Sequence, residues 1–117
     1  MNYVDGFVLA VPTAKKEDYR KLAETAAQVF KDHGALNVVE CWGAEVPEGK
    51  LTSFPMAVQR KADETVVFSW ITWPSKAVHD AGMKKSMEDP RMNHDPKAMP
   101  FDSKRMIFGS FEEIVSA

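Results

Sequence analysis

Thr65-Val66-Val67-Phe68-Ser69-Trp70-Ile71-Thr72-Trp73-Pro74-Ser75 is the stretch on which the fold turns. β-Branched and aromatic residues fill almost every position of Thr65–Trp73, the composition of a strand. Pro74 stops it, because proline lacks a ladder donor and keeps the preceding residue extended. Ser75 is a natural N-cap, and a helix is expected from about Lys76 to Met87. The same punctuation occurs earlier in the chain. Tyr3–Val11 reads as a strand, with Tyr3, Phe7, Leu9 and Val11 on one face and Val4, Val8 and Ala10 on the other. Pro12 ends it and Thr13 is placed to cap a helix over Ala14–His33. There the period becomes helical, with Tyr19, Leu22, Ala26, Val29, Phe30 and His33 on one side. Gly34 follows as a C′ residue.

Two further strands complete the pattern, Leu36–Trp42 and Arg105–Val115. Pro47-Glu48-Gly49-Lys50 is a turn. Ser53–Val58 reads as a short helical turn capped by Ser53, or as an edge strand. Each half of the chain is therefore strand–helix–strand. This predicts an α+β, ferredoxin-like βαββαβ antiparallel sheet with two helices on one face. The length of 117 residues suits a single domain over 1–117.

The strands also report on their surroundings. The first, third and fourth are apolar on both faces, whereas a sheet covered on one side alternates apolar with polar. Two helices cover one face. The expected cover for the other is the same sheet from a second copy, in a two-fold homodimer.

Composition narrows the function classes. Hydrophobic residues make up 44% and charged residues 27%, and the net charge is −2. That balance gives no electrostatic reason to expect nucleic acid or an anionic membrane as partner. The single cysteine, Cys41, cannot form an internal disulfide, which fits a reducing compartment. The first residues show no basic n-region, and no segment has the run of about 20 apolar residues that a membrane helix needs. A cytoplasmic location is the expectation.

A long proline-rich loop, Asp89–Lys104, joins the second long helix to the last strand. Segments within it complete a set that runs the length of the chain: Glu17–Leu22, His33-Gly34-Ala35-Leu36, Thr52-Ser53-Phe54-Pro55, Glu64–Trp70, Asp89-Pro90-Arg91-Met92, Met99-Pro100-Phe101-Asp102 and Lys104-Arg105-Met106. In order and spacing they resemble the YbaA-like family of small bacterial proteins of unknown function. That family resembles the dimeric α+β barrel superfamily, in which two ferredoxin-like subunits pack sheet to sheet. The resemblance implies a ligand site in a cleft between sheet and helices. It also brings in the superfamily's cofactor-independent monooxygenases, lactone isomerases, haem enzymes and ligand-binding regulators as possible activities.

Candidate site residues follow from chemistry. His79, one helical turn from Met83, is the candidate general base, since imidazole titrates near neutrality. Its structural alternative is a partly exposed helix residue. Trp42, Phe54 and Trp73 are candidates to line an apolar pocket, or else to form dimer core. Trp70 and Trp73 point to opposite faces of their strand. In the loop, His94, Asp95 and Asp102 offer polar groups and Phe101 an apolar wall; the structural reading has Asp89 and Asp102 closing turns and Phe101 plugging the core. His33 reads as a helix C-terminal residue, and Cys41 as an ordinary free cysteine with no activating base in view. No pair of residues has metal-ligand spacing, so no metal and no cofactor is expected. The expected function is binding of a small organic molecule in the cleft. The alternative is a cofactor-independent monooxygenase- or isomerase-like enzyme with His79 as base. An RNA-associated role lacks a basic stripe or an RNA-reading aromatic signature.

Overall fold

In the computed structural model the elements run β1 (Tyr3–Pro12), α1 (Lys16–Asp32), β2 (Asn37–Trp42), α2 (Phe54–Ala57), β3 (Glu64–Trp73), α3 (Lys76–Glu88) and β4 (Ile107–Glu112). The structure describes every residue but His94, and at Pro96 the backbone alone. The strands form an antiparallel sheet in the order β2-β3-β1-β4. This is the expected βαββαβ topology. The register pairs Tyr3 with Trp73, Phe7 with Ser69 and Val11 with Thr65. On β2 it sets Val38 opposite Ile71 and Glu40 opposite Ser69. Alternation then places Tyr3, Asp5, Phe7, Leu9 and Val11 on the helix-covered face.

The caps differ in one place from the sequence reading. Ser75 caps α3, its hydroxyl accepting from the Val78 amide at 3.2 Å, and Ser53 caps α2 from the Met56 amide at 3.1 Å. The short Ser53–Val58 segment is thus helical. Thr13 caps nothing. It opens a single 3-10 turn ahead of α1, and its hydroxyl lies 2.7 Å from that of Thr65. A cross-strand hydroxyl partner takes the group that would have capped the helix. The last strand is also shorter than the expected Arg105–Val115, since Arg105 belongs to a 3-10 turn.

The loop from Asp89 onward is built from three such turns, Pro90–Met92, Pro96–Ala98 and Ser103–Arg105. An aspartate heads each one. Asp89, Asp95 and Asp102 accept, at 3.0 Å, from the amides of Arg91, Lys97 and Lys104 respectively. An aspartate bonding the backbone two residues on imitates a peptide turn, and the prolines that follow Asp89 and Asp95 pre-set φ. The first turn is also clamped to α1. Asp89 lies 3.1 Å from His33 Nε2, and the Arg91 guanidinium bridges Asp89 and Asp32 at 2.8 and 2.9 Å.

Trp73 is fully buried beneath α3. Gly82 makes that possible, since a Cβ there would stand 2.4 Å from both the His33 carbonyl and the indole ring. The indole N–H donates to Asp5 at 3.1 Å. Around this tryptophan gather Phe30, Ala35 and Ile71, with Val78 and Met83 at the margin. A second cluster, Leu9, Val11, Tyr19 and Val67, lies further along the same face. On the opposite face α2 covers only one end, where Val58 packs on Val8, Ala10 and Val66.

Arg105 ties the start of β4 to the start of β3. Its Nη1 and Nη2 donate to the two oxygens of Glu64 at 2.8 and 2.6 Å, and its Nε donates to Asp102 at 3.1 Å. The paired hydrogen bonds from Arg105 hold the Glu64 carboxyl at about 2, well below its ordinary value of 4.5. A depressed folded-state pKa contributes stability that is present above the ordinary value and lost as pH falls toward the folded one. Arg105→Met is therefore expected to cost about 3 kcal/mol at neutral pH by leaving a largely buried carboxylate unpaired. It should also flatten the loss of stability between about pH 4.5 and 2. Urea melts across that range check this, and parallel pH profiles for the two proteins would contradict it.

Candidate functional site

Helix α1 does not seal the sheet along its whole length. The positions it turns toward β2 and β3 include Ala23, Ala26 and Ala27, and Ser69 stands opposite on β3. Methyl and hydroxymethyl groups cannot fill the space that leucine or phenylalanine would close. Two cavities result, of 350 and 210 Å³, and they meet at Tyr19, Ala23, Val38 and Glu40. The inner one runs under α1 between Phe7, Leu9, Phe30 and Ile71. Its outer wall comes from the proline-rich loop, through Met92, Met99 and Phe101, and from Met106 just ahead of β4. Such a lining, apolar and rich in flexible thioethers, adapts to varied apolar shapes.

Polar chemistry in this cleft concentrates at one pair. Tyr19, buried in the first turns of α1, donates its hydroxyl to Glu40 Oε1 at 2.6 Å. Burial chiefly, then the charge and hydrogen bond of Glu40, hold the Tyr19 hydroxyl well above its ordinary range, so it stays protonated. Glu40 as a residue is exposed along the edge strand, yet its carboxylate is crowded by cleft atoms. That burial raises its pKa, and the hydrogen bonds from Tyr19 and Ser69 offset the effect only in part. A carboxylate poised above its usual range, beside a locked phenol in an apolar cleft, is equipped to accept and return a proton. At the mouth, the Lys16 ammonium sits 5.4 Å from the centre of the Trp42 ring. Arg20 beside it is held by Glu17 at 2.7 Å and by Glu24.

The residues singled out in the sequence are spread over several parts of the fold. Trp42 and Phe101 line the cleft, and the Phe101 ring meets Tyr19 edge-on at 5.8 Å between centroids. Trp73 and Met83 belong to the packed end under α3. Phe54 lies on the other face of the sheet, against Phe68 at 5.9 Å. Asp95 and Asp102 close their own turns. His94 lies outside the described residues. His79 is not among the residues that line the cleft. Its Nε2 lies 3.0 Å from Asp5 and its Nδ1 2.8 Å from Asp80, so both ring nitrogens face carboxylates. Tyr3 and Trp73 stack edge-on against the ring at 4.9 and 5.5 Å. Tyr19, Glu40 and Ser69 line the cleft without being among the sequence candidates. The available signal was an acidic residue at an inward-facing register position of β2, opposite an alanine-rich helix face.

An antiparallel βαββαβ sheet with its long helices on one face and a cleft beneath the first defines an α+β protein with a ferredoxin-like fold. Its backbone matches the structure of Rv0793 from Mycobacterium tuberculosis with a TM-score of 0.58 over 100% of this chain and 99% of that one, at 10% identity. At that identity the likeness is one of fold. The chain belongs to the DUF1428 family of proteins of unknown function, whose model matches residues 2–103. The uncharacterized protein YbaA of Escherichia coli K12 is 57% identical over 115 residues, covering 98% of both chains, and YbaA of Shigella flexneri matches equally. Among the described residues no helix is long and apolar enough to cross a membrane.

The raised Glu40 pKa has a stability consequence of definite sign. A carboxyl whose folded-state pKa lies above its unfolded value stabilises the fold below that value and loses the contribution as pH rises through the folded one. Glu40→Gln, which keeps an acceptor for Tyr19, is expected to raise Tm at pH 7 and leave it nearly unchanged at about pH 4. Differential scanning calorimetry checks this, and a lowered Tm at pH 7 would contradict it.

Proposed function

We propose that this protein is a homodimer that binds a small, largely apolar organic molecule in the cleft between α1 and the sheet. One observation carries the reading. The sheet-facing side of α1 is left open by Ala23, Ala26 and Ala27 over a methionine- and phenylalanine-lined cavity whose polar focus is the Tyr19–Glu40 pair. An apolar cleft with a few convergent polar groups is the usual form of a small-molecule site. A planar or branched molecule with one polar group suits it, the body lying among Phe7, Ile71 and Met106 and the polar group meeting Glu40. Trp42 and Phe101 keep their places in this site.

The homodimer rests on the uncovered face. There Phe68 is 45% and Phe111 61% exposed, with Ile107 exposed and Trp70 half-buried beside them. On that face the strands carry one acidic residue, Glu64, and Arg105 neutralises it. A contiguous apolar face without free charge is self-complementary, because two copies meet with no like-charge repulsion.

Titration of tryptophan fluorescence with 2-naphthol tests the cleft. Saturable quenching is expected in the wild type, with loss in Ala23→Phe, whose ring fills the space under α1. Equal binding by that variant would overturn the cleft. Sedimentation equilibrium tests the pairing, with a dimer expected for the wild type and a monomer for Phe68→Glu. A wild-type monomer at micromolar concentration would overturn it.

A further inference from the structure

The polar focus of the cleft is more than an anchor. We infer that Glu40 and Tyr19 form a proton-transfer pair that tautomerises a small apolar carbonyl compound, with Glu40 as the base at carbon and Tyr19 as the hydrogen-bond donor to oxygen. The inference rests on the ligand-binding reading and deepens it.

Three features of the geometry support it. First, Glu40 and Tyr19 stand where the two cavities meet, so a molecule in the inner cavity has both groups at its edge. Second, the donor and acceptor lie 2.6 Å apart, so one small molecule at the pair can reach both groups once the hydroxyl turns toward it. Third, the inner-cavity lining beside them, Leu22, Ala23, Val38 and Phe101, is apolar, apart from the Ser69 hydroxyl that hydrogen-bonds Glu40. A carboxylate in such surroundings is a stronger base toward a carbon acid than one in water. The raised pKa of Glu40, caused mainly by burial, moves its proton affinity in the useful direction.

The step balances with no co-reactant. Glu40 takes the proton from the carbon next to the carbonyl. That C–H electron pair becomes the new C=C bond, and the carbonyl π pair moves onto oxygen. Once protonated, Glu40 is a poorer acceptor, so the Tyr19 hydroxyl is released from it and turns to the enolate oxygen. Tyr19 donates a hydrogen bond without ionising, as its raised pKa requires. Return of the proton from Glu40, to the same carbon or to the far end of a conjugated enolate, closes the cycle as exchange or as a double-bond shift. The substrate class is a small enolisable ketone or β,γ-unsaturated ketone with an apolar frame.

The titratable and charged groups around Glu40 are Tyr19, Lys16, Arg20 and Glu24 from α1, with Cys41 next to it on β2. Glu17 and Glu24 hold the arginine, and Lys16 lies over Trp42, so the cations at the mouth have partners of their own.

The test uses 2-indanone as carbon acid and 2-naphthol as binding probe. Loss of the 2-indanone α-proton signal in deuterium oxide is followed by proton magnetic resonance across a pH series. The wild type is expected to accelerate exchange about 100-fold over buffer, a usual size for general-base catalysis. Glu40→Gln should remove that acceleration while still binding 2-naphthol saturably through the apolar lining of Phe7, Ile71 and Met106, with affinity lowered by loss of the polar contact. In Tyr19→Phe, loss of the hydrogen bond that lowers the Glu40 pKa should move the midpoint of the pH–rate profile upward. Wild-type exchange at the buffer rate with 2-naphthol still bound would overturn the inference alone. So would Glu40→Gln exchanging at the wild-type rate. Failure to bind 2-naphthol would overturn the ligand-binding reading and the inference with it.

Discussion

Asp5 is an acidic residue near the start of β1, only 4% exposed, and the arrangement of this molecule follows from how it is satisfied. Burying an unpaired carboxylate costs more than a small domain can offset. Here three elements supply partners. Trp73 of β3 donates its indole N–H at 3.1 Å, Ser110 of β4 its hydroxyl at 2.6 Å, and His79 of α3 brings Nε2 to 3.0 Å. The group therefore fixes both neighbours of β1 and the helix above them. Because α3 is pinned there, its C-terminal end delivers Asp89 to His33 and Arg91 to Asp32. The C-terminal half of α1 is held down over Trp73 as a result.

The stretch of α1 that carries Ala23, Ala26 and Ala27 turns small side chains toward the sheet, and the space beneath it remains beside the closed Trp73 end. One face of one sheet is thus divided. Near Asp5 it is a dense, fully paired core; near Glu40 it is a cleft whose groups keep capacity to spare. His79 and Glu40 illustrate the contrast. Both are acid–base groups on the same side of the sheet, yet the first has a carboxylate at each nitrogen and aromatic rings against it. The second accepts from Tyr19 and Ser69 and borders a 210 Å³ cavity. Position relative to the packed end separates the two, one closed in by its partners and the other bordering a cavity.

The elements were legible in the sequence wherever local chemistry decides them. The Trp73-Pro74-Ser75 junction gave strand, stop and cap as they stand. The matching Val11-Pro12-Thr13 junction misled about the cap alone, because Thr65 lies across the sheet and no local pattern announces a partner 52 residues away. The site was less legible for the same reason. A histidine on a helix attracts attention by its type, whereas the closure around His79 depends on Asp5, 74 positions earlier. Tyr19 was placed on the inner face of its helix, but its meaning comes from Glu40 on another element. A void is also hard to read from a chain. The alanines of α1 look like ordinary helix formers until the sheet beneath them is known to present Ser69.

The central claim is that a ligand enters between α1 and the sheet rather than settling on the exposed apolar face. Amide proton–nitrogen correlation spectra recorded during a 2-naphthol titration locate the contact residue by residue. The account predicts shifts clustered at Ala23, Val38, Glu40 and Ser69. Shifts clustered instead at Val39, Phe68, Trp70 and Phe111 would contradict it.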